Sequence, residues 1–225
     1  MKKVSCIIPT YNREEGLKAR VSELLANDYS NLEIIIVNDG GKDLGIETSD
    51  KIKVINLDQN SGSVSIPRNV GITHSTGDYI CHVDDDVAQH PHKLRILSEV
   101  LDNTNSKLCF GQRLEYKSGR ISKPMPKLEW EPNQPQGWGV DNGQIMYRRD
   151  VYDSIDLVFC KRGCDWELAK KIREVSETFV SVNQDVCTYY WHDSNRSLDD
   201  STKEKKIYPG RFRKYFKWGV IPEEA

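Results

Sequence analysis

Short, almost continuous apolar runs rich in β-branched residues punctuate the first hundred residues. "KVSCIIP" (3 to 9), "LEIIIVNDGG" (32 to 41), "IKVINLD" (52 to 58) and "DYICHV" (78 to 83) have this character and predict buried strands. Between them the period changes. Leu17, Val21, Leu24 and Leu25 recur at helical spacing and predict an amphipathic helix over 13 to 26. Residues 63 to 75 read as a second helix, with Ser63 as its N-cap and Pro67 tolerable in the first turn. Residues 90 to 101 read as a third, with Pro91 near its start. Strands apolar on both faces and alternating with helices imply an α/β fold: a mostly parallel central sheet with helices on both faces.

The pattern changes after residue 105. "SKLCFGQRLEY" predicts a strand, and the Pro-, Gly- and Trp-rich stretch from 118 to 139 shows little periodicity, as a long functional loop or a disordered one does. "DNGQIMYRRDVYDSI" returns to strand then helix, "CDWELAKKIREV" (164 to 175) predicts a helix, and "FVSVNQDVCTYYWH" reads as short β-like segments. A basic, aromatic tail closes the chain. The organisation expected is therefore residues 1–103, residues 104–200 in the same domain, and a tail over 201–225.

Charge and cysteine content narrow the function classes. The formal charge is −2, so bulk charge gives no reason to expect a nucleic-acid partner. No apolar stretch reaches the length of a membrane span, and "MKKVSCIIPTYNRE" reads as a first strand, not a signal peptide. Cys6 and Cys81 lie in strand-like runs and read as small core residues. "CKRGC" (160 to 164) has no second Cys/His pair at zinc-site spacing, and the scattered cysteines make no disulfide framework. A cytoplasmic location is expected.

Candidate chemistry gathers at strand ends. "PTYN", "NDGG" and "VDDDV" each follow a predicted strand, and in open α/β sheets ligands bind at that edge. Each motif has two readings on its own residues. Asn12 caps the first helix or lines a nucleotide pocket. Asp39 belongs to a tight turn or accepts a hydrogen bond from a nucleobase or ribose. Asp84, Asp85 and Asp86 form an exposed helix-capping turn, or hold a Mg²⁺ or Mn²⁺ ion against a diphosphate. "NSGSVSIPRN" (60 to 69) carries a glycine loop into a helix start with Arg68 about one turn inside, suited to an anion, yet it has neither a P-loop nor a GxGxxG pattern.

Taken together, "CIIPTYNRE", "EIIIVNDGG", "NSGSVSIPRNVGI", "GDYICHVDDDVAQHPHKL", "NGQIMYRRDVYDSI", "CDWELAKKI" and "YYWHDSNRSL" resemble, in order over roughly residues 3 to 198, the inverting glycosyltransferases of family 2 with the GT-A fold. The resemblance implies a Rossmann-like sheet, a nucleotide-sugar half over 1–103 and an acceptor half over 104–200. It implies that Pro9, Thr10, Tyr11, Asn12, Asp39, Arg68, Asp84 and Asp85 bind the nucleotide, and that Asp86 and His192 hold Mn²⁺ or Mg²⁺. Asp165 would be the general base. The family often shows Glu-Asp where this chain has Cys164-Asp165, so Glu167 competes for that role, and Asn38 stands where Asp is common. The processive Gln-x-x-Arg-Trp motif is absent, so one sugar addition from a nucleotide-diphosphate sugar, a UDP-sugar above all, is expected. The implied acceptor is a glycan or lipid-linked hydroxyl.

Two other classes compete. A sugar nucleotidyltransferase needs a Gly-rich basic signature after the first strand, which "PTYNREE" does not provide; a degenerate transferase binding only nucleotide or glycan would have lost Asp84, Asp86 or Asp165. The Lys/Arg and aromatic residues from Lys203 to Lys217 suit a peripheral contact with an anionic membrane at its inner face, an acidic acceptor such as nucleic acid, or packing on the core. Trp130 and Trp138 either stack on a sugar or anchor a lid.

Overall fold

A computed structural model of the chain describes residues 1–117, 120–121, 140–154, 157–160, 164–176, 179–191 and 205–208, of which 157–160, 164–166, 173 and 205–208 are described by backbone alone. The first half runs β1 (Val4–Thr10), α1 (Glu14–Leu25), β2 (Leu32–Asn38), β3 (Ile52–Asn56), α2 (Ser65–Thr73), β4 (Tyr79–His82), β5 (Val87–Gln89) and α3 (Lys93–Asn103). The second runs β6 (Leu108–Lys117), β7 (Arg120–Ile121), a 3-10 turn (Asn142–Gln144), β8 (Ile145–Arg148), α4 (Arg149–Ser154), β9 (Leu157–Cys160), α5 (Cys164–Val175), β10 (Phe179–Tyr190) and β11 (Lys205–Tyr208).

The main sheet has the order β3-β2-β1-β4-β8-β6-β10-β5, with β7 pairing to β6; β9 and β11 form a separate antiparallel pair. Pairing is parallel through β3, β2, β1 and β4, β8 inserts antiparallel between β4 and β6, and β10 runs parallel to β6. The period-2 alternation of β1 and β2 divides the core. Val4, Cys6, Ile8, Ile34 and Ile36 pack against Leu17, Val21 and Leu24 of α1 and Leu94, Leu97 and Leu101 of α3. Ile7, Ile35 and Val37 face the opposite layer, which includes Ile66 and Val70 of α2, Val151 of α4 and Ile172 of α5. Each of these buried aliphatic side chains contributes about 1.5–3 kcal/mol of transfer free energy.

Glu33 fastens the N-terminal ends of the central strands. Its carboxylate accepts from Lys3 Nζ at 2.8 Å, Ser5 Oγ at 2.6 Å and the Gly77 amide at 3.1 Å, and from the Thr76 amide. Burial pushes its pKa up, but Lys3, Ser5 and Thr76 outweigh burial and hold it at about 2.

Local details differ from the sequence expectation. The second helix starts at Ser65, not at 63; Ser63 Oγ accepts the Ser65 amide at 3.2 Å, turning the chain ahead of the helix instead of capping it. Residues 179–190 form one long strand, whose register shifts at Ser181/Asp185 and Asp185/Cys187 break the periodicity that suggested separate segments. Cys6 and Cys81 are fully buried, as expected, and are register partners across β1 and β4.

Candidate active site

The C-terminal ends of β1, β2 and β4 bring the "PTYN", "NDGG" and "VDDDV" tips to one edge. Pro9 is tolerated in a central strand because β4 stops pairing with β1 at Ile7↔His82, so no ladder bond on that side is lost. Thr10 and Asp39 are buried, and the Asp39 amide donates to the Thr10 carbonyl at 2.9 Å. Asp39 Oδ1 accepts the Ser61 amide at 3.0 Å and Asn60 Nδ2 reaches the Asp39 carbonyl at 3.2 Å, tying the second tip to the loop that leads into α2. Gly40, at φ +72°, lies so close to the Gln59 backbone that an added Cβ would be 2.2 Å from its carbonyl carbon. Asn12 does not cap α1, whose N-cap is Arg13. Its own φ is 53°, and its Oδ1 accepts the Lys42 amide at 3.1 Å, joining the first two tips. Tyr11 is exposed beside them.

The aspartate triplet divides its work. Asp85 points inward, where Oδ2 accepts Thr10 Oγ1 at 2.9 Å and Oδ1 accepts Arg13 at 3.0 Å. Burial, only partly offset by Arg13, pushes its carboxyl up to about 6. Asp86 accepts Arg13 at 2.7 Å and Asp84 pairs with Arg68, and both keep more than a fifth of their side chains exposed, at 21% and 23%. The outward pair is therefore available to a ligand, while Asp85 anchors the loop.

Asp141, Arg113 and Glu115 adjoin the acidic edge and Lys93 lies beneath it, and sequence reading missed all four. Asp141, ahead of the 3-10 turn, is paired with Arg113 of β6, which also pairs with Glu115. Burial raises the Asp141 carboxyl despite Arg113, and the Asp84 charge raises it further. Asp141 Oδ1 is buried with no hydrogen-bond partner among the described residues. Beneath them Lys93, the first residue of α3, is fully buried. No motif marks these positions: they meet only because β6, the 3-10 turn and α3 converge.

The sequence profile of Glycosyl transferase family 2 matches residues 5–173. The chain belongs to glycosyl transferase family 2. It is 32% identical over 163 residues to the poly(ribitol-phosphate) beta-N-acetylglucosaminyltransferase TarP of Staphylococcus aureus, an alignment covering 67% of this chain and 48% of TarP. It is 27% identical over 180 residues to an uncharacterized glycosyltransferase of Haemophilus influenzae, covering 70% of this chain and 55% of that protein. The chain thus spans about half the length of these two relatives. The crystal structure of S. aureus TarS 1–349 in complex with UDP-GlcNAc superposes with a TM-score of 0.76 at 19% identity, covering 89% of this chain and 62% of TarS 1–349, and shares its fold. That fold is the GT-A glycosyltransferase fold.

For this family 2 chain, the remaining expected residues fall at the edge of the description. α5 begins at Cys164, so Asp165 is in the first turn of a helix; its side chain, like all of His192, lies outside the described residues. Of the basic tail only Lys205–Tyr208 is described, as β11 paired with β9; the rest of it and the Trp130–Trp138 loop lie outside the described residues. Glu167 is half-buried on the same helix. Among the described residues no three His, Cys, Asp or Glu side chains form a ready-made metal cage. The donor set nevertheless fits a hard divalent cation. Such an ion commonly takes one or two carboxylates and completes its shell with substrate phosphates, and Asp84 and Asp86 reach solvent at the sheet edge. Among the described residues no helix is long and apolar enough to cross a membrane.

Proposed function

We propose that the protein transfers one sugar from a UDP-sugar to an acceptor hydroxyl, with inversion, in the synthesis of a cell-surface glycan. The observation that carries the reading is the convergence of Thr10, Asp39, Arg68 and Asp84–Asp86 on the C-terminal edge of a parallel sheet in a family 2 chain. The printed names of its relatives support the classes of donor and acceptor. One transfers N-acetylglucosamine to poly(ribitol-phosphate), and a fold neighbour was crystallised with UDP-GlcNAc.

In this reading Asp39 accepts from the base or ribose, and Arg68 carries its charge to the diphosphate. Asp86 and His192 would hold Mn²⁺ or Mg²⁺, which would neutralise charge developing on the leaving diphosphate. Asp165, in the first turn of α5, takes the acceptor hydroxyl's proton. The oxygen forms a bond to the anomeric carbon on the face opposite the diphosphate, whose bond to that carbon breaks and carries its electron pair away on UDP. The buried walls around Asp85 and Asp141 keep the local dielectric low, so each of these charges counts for more than in water.

The test is donor hydrolysis and transfer with a panel of nucleotide sugars and Mn²⁺ or Mg²⁺, read as released nucleoside diphosphate. Metal-dependent UDP release that disappears in Asp86→Ala supports the reading and identifies the sugar. No nucleotide bound and none released by the wild type would overturn it.

A further inference from the structure

The chain buries Lys93 completely at the start of a helix, where the peptide dipoles already disfavour a cation. Burying an ammonium is costly unless every donor is satisfied. Its Nζ donates to the His82 carbonyl at 3.3 Å, to Gln89 Oε1 at 2.6 Å and to the Gly143 carbonyl at 2.7 Å. All three acceptors are uncharged, and no carboxylate pairs with the ammonium among the described residues; the buried Cys81 thiol is drawn below its ordinary pKa by its hydrogen bond to Cys6 and by Lys93 itself. What the three acceptors share is their place in the chain. His82 ends β4 immediately before the acidic loop, Gln89 ends β5 immediately after it, and Gly143 follows Asp141 by two residues. Gln89 is itself fixed, its amide donating to Glu23 Oε2 at 2.8 Å and its side chain to the Val87 carbonyl at 2.7 Å. The ammonium is also close enough to draw the Asp141 carboxyl downward against its burial.

We propose that Lys93 is a positioning residue for the donor site. One buried charge fixes both ends of the Asp84–Asp86 segment and the turn that carries Asp141, and sets a permanent positive potential beneath four carboxylates. An apolar residue of the same length fills the volume and does neither. The functional half of this inference rests on the donor-site reading above; the structural half does not.

The experiment compares wild type with Lys93→Met, which keeps length and removes charge and donors, and with Lys93→Gln, which keeps an amide donor without charge. Hydrogen exchange is read by mass spectrometry, and Mn²⁺·UDP affinity by calorimetry with Mn²⁺ and UDP as the probes. In Lys93→Met, exchange rises selectively in the peptides covering 83–90 and 140–145, while β1 and β2 keep their protection. Mn²⁺·UDP affinity of the folded protein falls about 10–100-fold, the range for groups that orient a metal's ligands. Lys93→Gln falls between the two. Wild-type affinity in folded Lys93→Met, or exchange that rises evenly across the sheet, overturns the proposal, as does failure of both variants to fold. A wild type that does not bind Mn²⁺·UDP at all counts against the donor-site reading instead, and the exchange comparison still decides the role of Lys93.

Discussion

Gly16 offers a test in which one methyl group separates two opposite signs. It lies in the first turn of α1, and a Cβ built there would stand 2.4 Å from the backbone oxygen of Asp85. A tolerable C···O contact is about 3.3 Å, so Gly16→Ala must move the helix or the acidic loop by roughly 0.9 Å. Taken alone, replacing glycine by alanine inside a helix stabilises by about 0.5–1 kcal/mol. Forcing a methyl group into packed surroundings costs about 1–3 kcal/mol, and the obstacle here is backbone, which cannot rotate aside. The net expectation is a loss of about 0.5–2 kcal/mol, a fall of a few degrees in melting temperature for a chain of this size. The displaced carbonyl sits between Asp84 and Asp86, and misplacement by about 1 Å at a catalytic centre can cost about 10²-fold. Mn²⁺·UDP affinity should therefore drop by about tenfold or more, a larger effect than the stability change alone produces. The assay is a thermal scan beside calorimetric titration of UDP with Mn²⁺. A variant that melts above wild type and binds UDP unchanged would refute the reasoning, because the helix would then have absorbed the methyl group without touching the loop.

Three other outcomes follow from the same geometry. Glu33 has its folded pKa depressed from 4.5 to about 2, so its stabilisation is complete above pH 4.5 and is lost as pH falls toward 2. By linkage this is about 3 kcal/mol, discounted to about 1–2 kcal/mol for a carboxylate that solvent partly reaches; Glu33→Gln should show that deficit at pH 7 and converge with wild type near pH 2 in denaturant titrations. Arg68→Ala leaves Asp84 without its guanidinium and, on the proposed reading, removes the charge that meets the diphosphate, so UDP affinity should fall about tenfold or more; Arg68→Lys should recover only part of it in the same titration. Asp86→Asn keeps an oxygen that accepts from Arg13 at a partly exposed position, so it should change stability by no more than about 1 kcal/mol, while abolishing Mn²⁺-dependent enhancement of UDP binding. Retained enhancement would move the metal role to another carboxylate.

The strands β1, β2 and β4 could be read from the sequence because parallel strands buried on both faces leave unbroken apolar runs, and the tips Asp39 and Asp84–Asp86 follow those runs directly. Helix α1 was legible from Leu17, Val21 and Leu24 for the same reason of period. Other features were not. Asn12 allowed two readings, a helix cap or a nucleotide-pocket residue; the cap is excluded because its left-handed backbone aims the side chain at Lys42. Lys93 carries no motif within "HPHKLR"; only the fold shows three carbonyl-type acceptors meeting at its tip. Arg113 and Asp141 are separated by the long aperiodic stretch, and pairing at that distance along the chain leaves no local signal. Strand β10 was hidden by Asn183–Asp185, where the ladder slips and polar residues interrupt the alternation.

The Glu33 clamp and the acidic tips occupy opposite ends of the same strands. Glu33 in β2 and Asp39 just past its end are six residue steps apart, about 20 Å at the rise of a strand. Substitutions so far apart combine additively, since coupling fades beyond roughly 7–10 Å. The chain can therefore exchange residues at the edge that carries Asp39 and Asp84–Asp86, and with them, on the proposed reading, the specificity of the site, without loosening the end that holds the sheet together. Evolvability of specificity is in this sense a property of strand length.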